Sequence, residues 1–189
     1  MNPAATLLDR TDRELWLVTA QAGSRRGGLV ATFVSQASIV PDLPRVVVGL
    51  AKQHFTWQIV QTSGAFALHL LGEGHVDWVC RFGLSTGRDS DKLAGLPLRH
   101  GTTGSPLLDH ALGWLDCKVE AKLDTGDRTL YLAEVVDAQL KDEVQPLTLK
   151  RLLQLAPADK REEMKRQMQQ DAAVDAAAIL AWRLTRSAP

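Results

Sequence analysis

Short runs of apolar residues, separated by polar turns, cover the first three quarters of the chain. The clearest run is 112–123, where Leu115, Cys117 and Val119 alternate with charged neighbours. A repeat of two residues is the spacing of a half-exposed strand. The sequence DTGD that follows is typical of a hairpin connection. Six strands are predicted in all, at 15–20, 28–38, 45–51, 65–71, 112–123 and 128–140.

Helical spacing is found between these strands only in short segments. Residues 53–63 place Phe55, Ile59 and Val60 at helical intervals, and Gly64 is suited to end the helix. A second short helix is predicted at 76–82. Residues 83–105 are rich in Gly, Ser, Thr and Asp, which predicts a long loop that is mobile or functional.

The composition changes after Pro146. Two helices are predicted there, at 146–155 and 157–183, and Pro157 suits the first turn of the second helix. The alanine-rich stretch 172–181 favours close packing of that helix against another surface.

Six strands with few helices between them fit a closed or nearly closed β-barrel. A doubly wound parallel sheet fits poorly, because its helices alternate regularly with its strands. We therefore predict a mainly β domain with peripheral helices at residues 1–145, and a helical C-terminal extension at residues 146–189.

The charge and composition of the chain disfavour several classes of function. Lys and Arg total 22, as do Asp and Glu, so the formal net charge is zero and binding to nucleic acid is disfavoured. No apolar run approaches the roughly 20 residues that span a bilayer, and the acidic N-terminus does not resemble a secretory signal. Cys80 and Cys117 have no CxxC partner and are expected to be free thiols in a reducing compartment. A cytoplasmic protein that binds neither membrane nor nucleic acid is predicted.

Catalytic motifs are scarce. The chain lacks a GxGxxG loop, a Walker loop and a GxSxG elbow, and its five scattered histidines do not have metal-binding spacing. Lys52 and Thr56 are more informative, since they flank a strand end and a helix start, where backbone amides favour a phosphate. An ordinary capped helix is the alternative. Arg81, Arg88 and Lys92 either add positive charge to such an anion site or are solvated loop charges.

The strand predicted at 28–38 carries more polar residues than a core strand does. Thr32, Ser35, Gln36 and Ser38 stand among its apolar residues. Such a segment can pack one side into a barrel and offer hydroxyls and backbone amides to a flat polar ligand.

A series of short motifs runs through residues 15–138 in a fixed order. LVTA at 17–20 is followed by TFVSQASIVP at 32–41, then by SGAF at 63–66, RFG at 81–83 and SDKL at 90–93. Strand 115–120 and hairpin 126–136 complete the series. In order and spacing the chain resembles the flavin reductase-like family, whose fold is the FMN-binding split barrel.

This resemblance implies a site for FMN. Strand residues at the kink would line the isoalloxazine ring, with backbone amides at its pyrimidine edge: Thr32, Phe33, Val34, Ser35 and Gln36. Ala51, Lys52 and Thr56 would meet the ribityl chain and phosphate. Arg81, Phe82 and Lys92 would close the phosphate side.

Three departures from the family pattern bear on function. Arg128 stands where the family carries a hairpin histidine implicated in nicotinamide use, His69 stands where it carries Asn, and its second proline is displaced to Pro44. An arginine does not titrate near neutrality but can hold a phosphate or carboxylate. The identity of residue 128 thus leaves the source of electrons open.

The resemblance implies an NAD(P)H:flavin oxidoreductase in which hydride passes to flavin N5 and then to free flavin, oxygen or a redox partner. The alternative is an FMN-binding electron-transfer module without its own nicotinamide site, which Arg128 favours. A third reading is a barrel that binds another planar ligand, such as haem, or a non-catalytic interaction domain. The resemblance also implies a homodimer, with the helical extension wrapped around the partner; the alternative is an extension packed on its own barrel.

Overall fold

The computed structural model describes residues 2–141 and 145–186. Its strands are β1 (Trp16–Ala22), β2 (Arg25–Ala31), β3 (Val34–Gln36), β4 (Arg45–Ala51), β5 (Ala65–Leu70), β6 (Arg99–His100), β7 (Pro106–Leu107), β8 (Gly113–Asp124) and β9 (Arg128–Leu140). Its α-helices are α1 (Pro3–Leu8), α2 (Phe55–Ser63), α3 (Val76–Gly83), α4 (Leu149–Leu155) and α5 (Ala158–Arg186), and a 3-10 turn (Glu73–His75) precedes α3.

Seven strands form one antiparallel sheet in the order β2-β1-β5-β8-β9-β4-β3. Strands β2 and β4 also contact each other, although they lie near opposite edges of this order. The sheet therefore curls into a nearly closed barrel, and the predicted mainly β, split-barrel fold with peripheral helices is confirmed. β6 and β7 form a separate small sheet.

The segment predicted as one strand at 28–38 is two strands in the structure. β2 ends at Ala31 and lies at one edge of the sheet, whereas β3 begins at Val34 and pairs with β4 at the other edge. Thr32 and Phe33 form the crossing between them. The polar content of this segment thus marks a change of partner strand.

Two irregularities break the alternation predicted for β8. The register with β9 shifts between Asp116 and Cys117 and again between Val119 and Ala121. As a result Asp116 is buried, while Leu123 near the far end is 53% exposed. The buried Asp116 carboxylate accepts hydrogen bonds from the backbone N–H and hydroxyl of Thr103, which offsets its loss of water.

Two large apolar clusters and a smaller third one hold the barrel together. The inner cluster includes Val18, Phe66 and Tyr131, with Ile59 and Val60 of α2 packed into it. Fully burying one large apolar side chain contributes roughly 1.5–3 kcal/mol to stability. The burial of Ile59 and Val60 therefore fixes the position of α2 on the barrel.

The outer cluster covers the other face of β1 with side chains from α3, the following loop and α4: Leu15, Leu17, Leu71, Val79, Phe82, Leu93, Leu108, Leu147, Leu152 and Ala156. Leu147 also exchanges backbone hydrogen bonds, donating to the Leu71 carbonyl at 2.7 Å and accepting from the Leu15 amide at 2.8 Å. The start of the C-terminal extension is therefore part of the barrel core. The division of the chain at residue 145 stays a prediction.

The two C-terminal helices were predicted and α1 was not. α1 is short, and Asn2 caps it by accepting a hydrogen bond from the Ala4 amide at 2.9 Å. α5 is 29 residues long, and none of its residues is fully buried. None of the helices in the described ranges is both long and apolar enough to cross a membrane.

Candidate functional site

A continuous groove runs along the barrel between β2, the start of α2 and α5. It consists of a wide end of about 640 Å³ and a narrow end of about 180 Å³. The two ends share part of their lining, namely Leu29, Val30, Gln53, His54 and Asp171. Both volumes together lie in the range of ordinary small-molecule sites.

Two glycines of β2 allow the wall of this groove to form. A Cβ on Gly28 would lie 2.9 Å from the ring of Phe82, and one on Gly27 would lie 3.2 Å from Thr56 Oγ1. Phe82 of α3 and Thr56 of α2 can therefore approach the strand closely. The approach brings the start of α2 and the end of α3 to opposite sides of the wide end.

The buried ammonium of Lys92 organises the wide end. Its Nζ donates to the carbonyls of Phe82 at 2.8 Å and Ser85 at 3.1 Å, and burial lowers the pKa of Lys92 to about 8. An ammonium has three N–H donors, so one is left for a ligand. Arg88 lines the same end, and so does the first turn of α2, where the His54 side chain makes no capping hydrogen bond.

An aromatic ring with two cations beside it lines the narrow end. Phe33 is 51% exposed and lies under the guanidinium groups of Arg128 and Arg13, at 4.6 and 5.3 Å from the ring centre. Arg128 is also held by two carboxylates: its Nε donates to Asp127 at 2.5 Å and its Nη2 to Asp175 of α5 at 2.6 Å. Arg128 thus joins the hairpin, the crossing segment and the C-terminal helix.

Gln53 has a donor without a partner at the junction of the two ends. Its Nε2 is the one buried side-chain nitrogen or oxygen for which the described part of the chain supplies no hydrogen bond. Buried polar groups in native proteins are nearly always paired, so this N–H is available to a ligand or a water molecule in the groove. The sequence prediction missed Gln53, although its place between a strand end and a helix start was a usable signal.

The structure brings seven of the predicted site residues to the groove. They are Thr32, Phe33, Ala51 and Arg128 at the narrow end, and Thr56, Phe82 and Lys92 at the wide end.

The other predicted residues lie elsewhere. Val34, Ser35 and Gln36 line a separate cavity of about 720 Å³. Lys52 does not line the groove: its Nζ contacts both carboxylate oxygens of Asp124, at 2.7 and 2.8 Å. The Arg81 guanidinium donates to the carbonyls of Lys92 and Ala94, so it orders the loop behind the groove.

One wall of the groove was not predicted. Gln167, Asp171 and Asp175 of α5 line it. Asp171 and Asp175 are four residues apart and therefore share a helix face. That spacing was readable in the sequence, but the surface that the face covers was not.

Residues 8–152 of the chain match the model of the flavin reductase like domain. The chain is 32% identical over 136 residues to the ferric-chelate reductase (NAD(P)H) of Archaeoglobus fulgidus, covering 71% of this chain and 79% of that protein. It is equally similar, at 32% over 136 residues, to the high molecular weight rubredoxin of Moorella thermoacetica, of which it spans 58%.

Solved structures agree with this match. Nitrilotriacetate monooxygenase component B from Mycobacterium thermoresistibile superposes with a TM-score of 0.66 at 27% identity, over 75% of this chain and 78% of that one. The family predicted from the motif order is confirmed.

Proposed function

Since the chain belongs to the flavin reductase family, whose domain spans residues 8–152, we propose that it is an NAD(P)H-dependent flavin reductase with FMN bound in the groove. The observation that carries the proposal is the groove itself. It offers a helix start and a buried ammonium at one end, an aromatic ring at the other, and an unpaired donor between them. A molecule with a phosphate, a polar chain and a flat ring matches this order.

The wide end suits the phosphate. The first turn of α2, Thr56 and Lys92 all line it, and helix N-termini favour anions. The Gln53 amide is placed to donate to the ribityl chain or the phosphate. Arg88 adds a second cation at the mouth.

The narrow end suits one edge of the ring. Thr32 and Phe33 lie where the backbone leaves one edge strand for the other, and Ala51 ends β4 beside them. Gly49 keeps this end open, since a Cβ there would lie 3.2 Å from the Phe33 Cβ. Bound flavin supplies the hydride and electron chemistry, while the protein orients it and shields it from water.

The relatives support a nicotinamide donor, since one of them is named a ferric-chelate reductase (NAD(P)H). A specific observation supports the alternative, an FMN-binding electron-transfer module. Arg128 stands where the family pattern carries its hairpin histidine, and its charge is already balanced by two carboxylates, which disfavours a nucleotide phosphate beside it. The rubredoxin relative, of which the chain spans only 58%, is consistent with transfer to a redox partner.

Two measurements separate these functions. The purified protein is titrated with FMN and followed by flavin fluorescence, and the complex is then mixed with NADH or NADPH without oxygen. Bleaching of the flavin absorption band is expected. FMN binding without bleaching, together with photoreduction, would support the electron-transfer module, and absence of flavin binding would refute both.

We also propose that the protein is a cytoplasmic homodimer. Its two cysteines are free, as expected in a reducing compartment. Ile39 is 94% exposed, and Val40 and Leu43 beside it are 47% and 64% exposed, next to the separate 720 Å³ cavity. Such a patch is typical of an interface. Light scattering after size exclusion measures the mass directly, and a monomer would refute this part.

A further inference from the structure

Helix α5 lies outside the matched family domain and crosses the groove from end to end. Near its start Met164 packs against the outer core cluster. Its middle supplies Asp171 and Asp175 to the groove. Further on, Trp182 packs on the hairpin turn, where a Cβ on Gly126 would lie 2.6 Å from the Trp182 Cβ. The helix is thus a strap fixed at both sides of the site.

The strap is held by polar rather than apolar contacts along the groove. Its central attachment is the 2.6 Å ion pair between Asp175 and Arg128, whose side chains are 19% and 20% exposed. None of the residues of α5 is fully buried. An element with so little buried surface can open locally without unfolding the barrel.

The strap also changes the charge of the wide end. Its charged lining residues are Arg88, Lys92, Asp89 and Asp171. The positive and negative charges cancel, and Asp171 is the one that α5 contributes. Without Asp171 the wide end would carry a net positive charge, as a phosphate site ordinarily does.

The pKa of His54 responds to the charges at this end of the groove. Burial is the main cause that lowers the pKa of His54; Asp171 raises it, while Lys92, Arg88 and Arg128 lower it further. Asp171 therefore acts on the first turn of α2, where the proposed phosphate lies.

We propose that α5 is an acidic strap that sets the selectivity of the groove among flavins by the charge of their phosphate. Asp171 opposes the phosphate of FMN, and Asp175 holds the strap in place through Arg128. The inference rests on the proposed flavin site. Its consequence is that FMN is bound less tightly than the rest of the groove allows, so flavin enters and leaves as a substrate does.

The test compares FMN with riboflavin, which has the same ring and chain but no phosphate. Affinities of both are measured by fluorescence titration for the wild type and for Asp171→Asn. The matched control is Glu162→Gln, which removes the same charge from an exposed position on α5. Asp171→Asn should tighten FMN binding by on the order of fivefold, as expected for a screened charge pair near a protein surface. Riboflavin binding and the control should change less than twofold.

Equal effects on FMN and riboflavin, or no effect on either, would overturn the inference while leaving the flavin site in place. If the wild type binds neither flavin, the proposed function itself fails. A second variant tests the attachment. Asp175→Asn should raise amide hydrogen exchange in the part of α5 around residues 167–178 at least tenfold, and unchanged exchange would refute the role of the Asp175–Arg128 pair as the attachment.

Discussion

His69 makes the stability of this fold depend on pH. The side chain is fully buried on β5. Its Nδ1 lies 3.1 Å from the Leu17 carbonyl, and its Nε2 lies 3.0 Å from the Leu108 amide. A carbonyl only accepts and an amide N–H donates, so the neutral ring must donate from Nδ1 and accept at Nε2. Protonating Nε2 would place two donors opposite each other in a fully buried site.

The size of the effect follows from the pKa. Burial lowers the pKa of His69 from 6.5 to about 4, against smaller opposing effects of the Leu17 carbonyl and Asp109. Below pH 6.5 the His69 ring is protonated in the unfolded chain, whereas in the folded chain it stays neutral down to about pH 4. The stabilisation that the neutral His69 ring gives to the folded state is therefore complete above pH 6.5 and is lost as the pH falls towards 4. At about 1.4 kcal/mol per pKa unit it amounts to roughly 3 kcal/mol.

Urea denaturation of the wild type and of His69→Asn at pH 8, 6.5, 5.5 and 4.5 measures this contribution. Asn is the residue that the family pattern carries here, and it does not titrate. At pH 8 the variant should be less stable by roughly 1–3 kcal/mol, because it loses volume and hydrogen bonds. The difference should shrink on acidification; the same substitution at the exposed position 110, His110→Asn, is the control. A difference between wild type and His69→Asn that stays constant from pH 8 to 4.5 would refute the reasoning.

Three further predictions concern the groove and the strap. Lys92→Met should weaken FMN binding by roughly 1–3 kcal/mol in a fluorescence titration. Lys52→Ala should weaken it by less, because only Lys92 lines the groove. The opposite ranking would favour the phosphate site at Lys52 that the sequence predicted. Gly126→Ala and Gly23→Ala should each lower the free energy of unfolding in urea by roughly 1–3 kcal/mol, because both glycines have positive φ. The loss should be larger for Gly126→Ala, since only Gly126 faces Trp182. Equal losses would mean that α5 does not pack there. Gln53→Leu should leave the flavin-free protein as stable or more stable, since the described chain leaves Nε2 unpaired, yet weaken FMN binding by roughly 1 kcal/mol; unchanged FMN affinity would remove Gln53 from the site.

Most of the barrel is predictable from local patterns. The strands predicted at 45–51 and 128–140 have the limits that the structure shows, and the helix predicted at 53–63 begins two residues later, at Phe55. The crossing at Thr32 and Phe33 was missed, because a polar kink in a strand looks the same whether the chain bends or changes sheet edge. The irregularities of β8 were missed for a related reason, since alternation in the sequence does not show where an extra residue enters the ladder.

The predicted site residues differ in the same way, between those set by local sequence and those set by distant contacts. Thr56, Phe82 and Lys92 line the groove, as expected for the predicted site, and their roles in binding a flavin stay predictions. The Lys52 side chain points instead to Asp124 on the neighbouring hairpin, a choice made by a contact 72 residues away. Likewise Arg128 meets Asp175 across 47 residues. Which of several partners a charged side chain selects depends on packing, and packing is not local in the sequence.

The charges of the groove bear on how a ligand is captured. The chain has no net charge, and the cations and anions at the wide end are equal in number. Long-range steering of an anionic ligand is therefore weak, and its association should resemble that of a neutral pair. Affinity must then come from short-range contacts made after entry: the amides of α2, the spare Lys92 donor and the unpaired Gln53 amide. These contacts recognise shape and hydrogen-bonding pattern, which suits the exchangeable flavin that we propose.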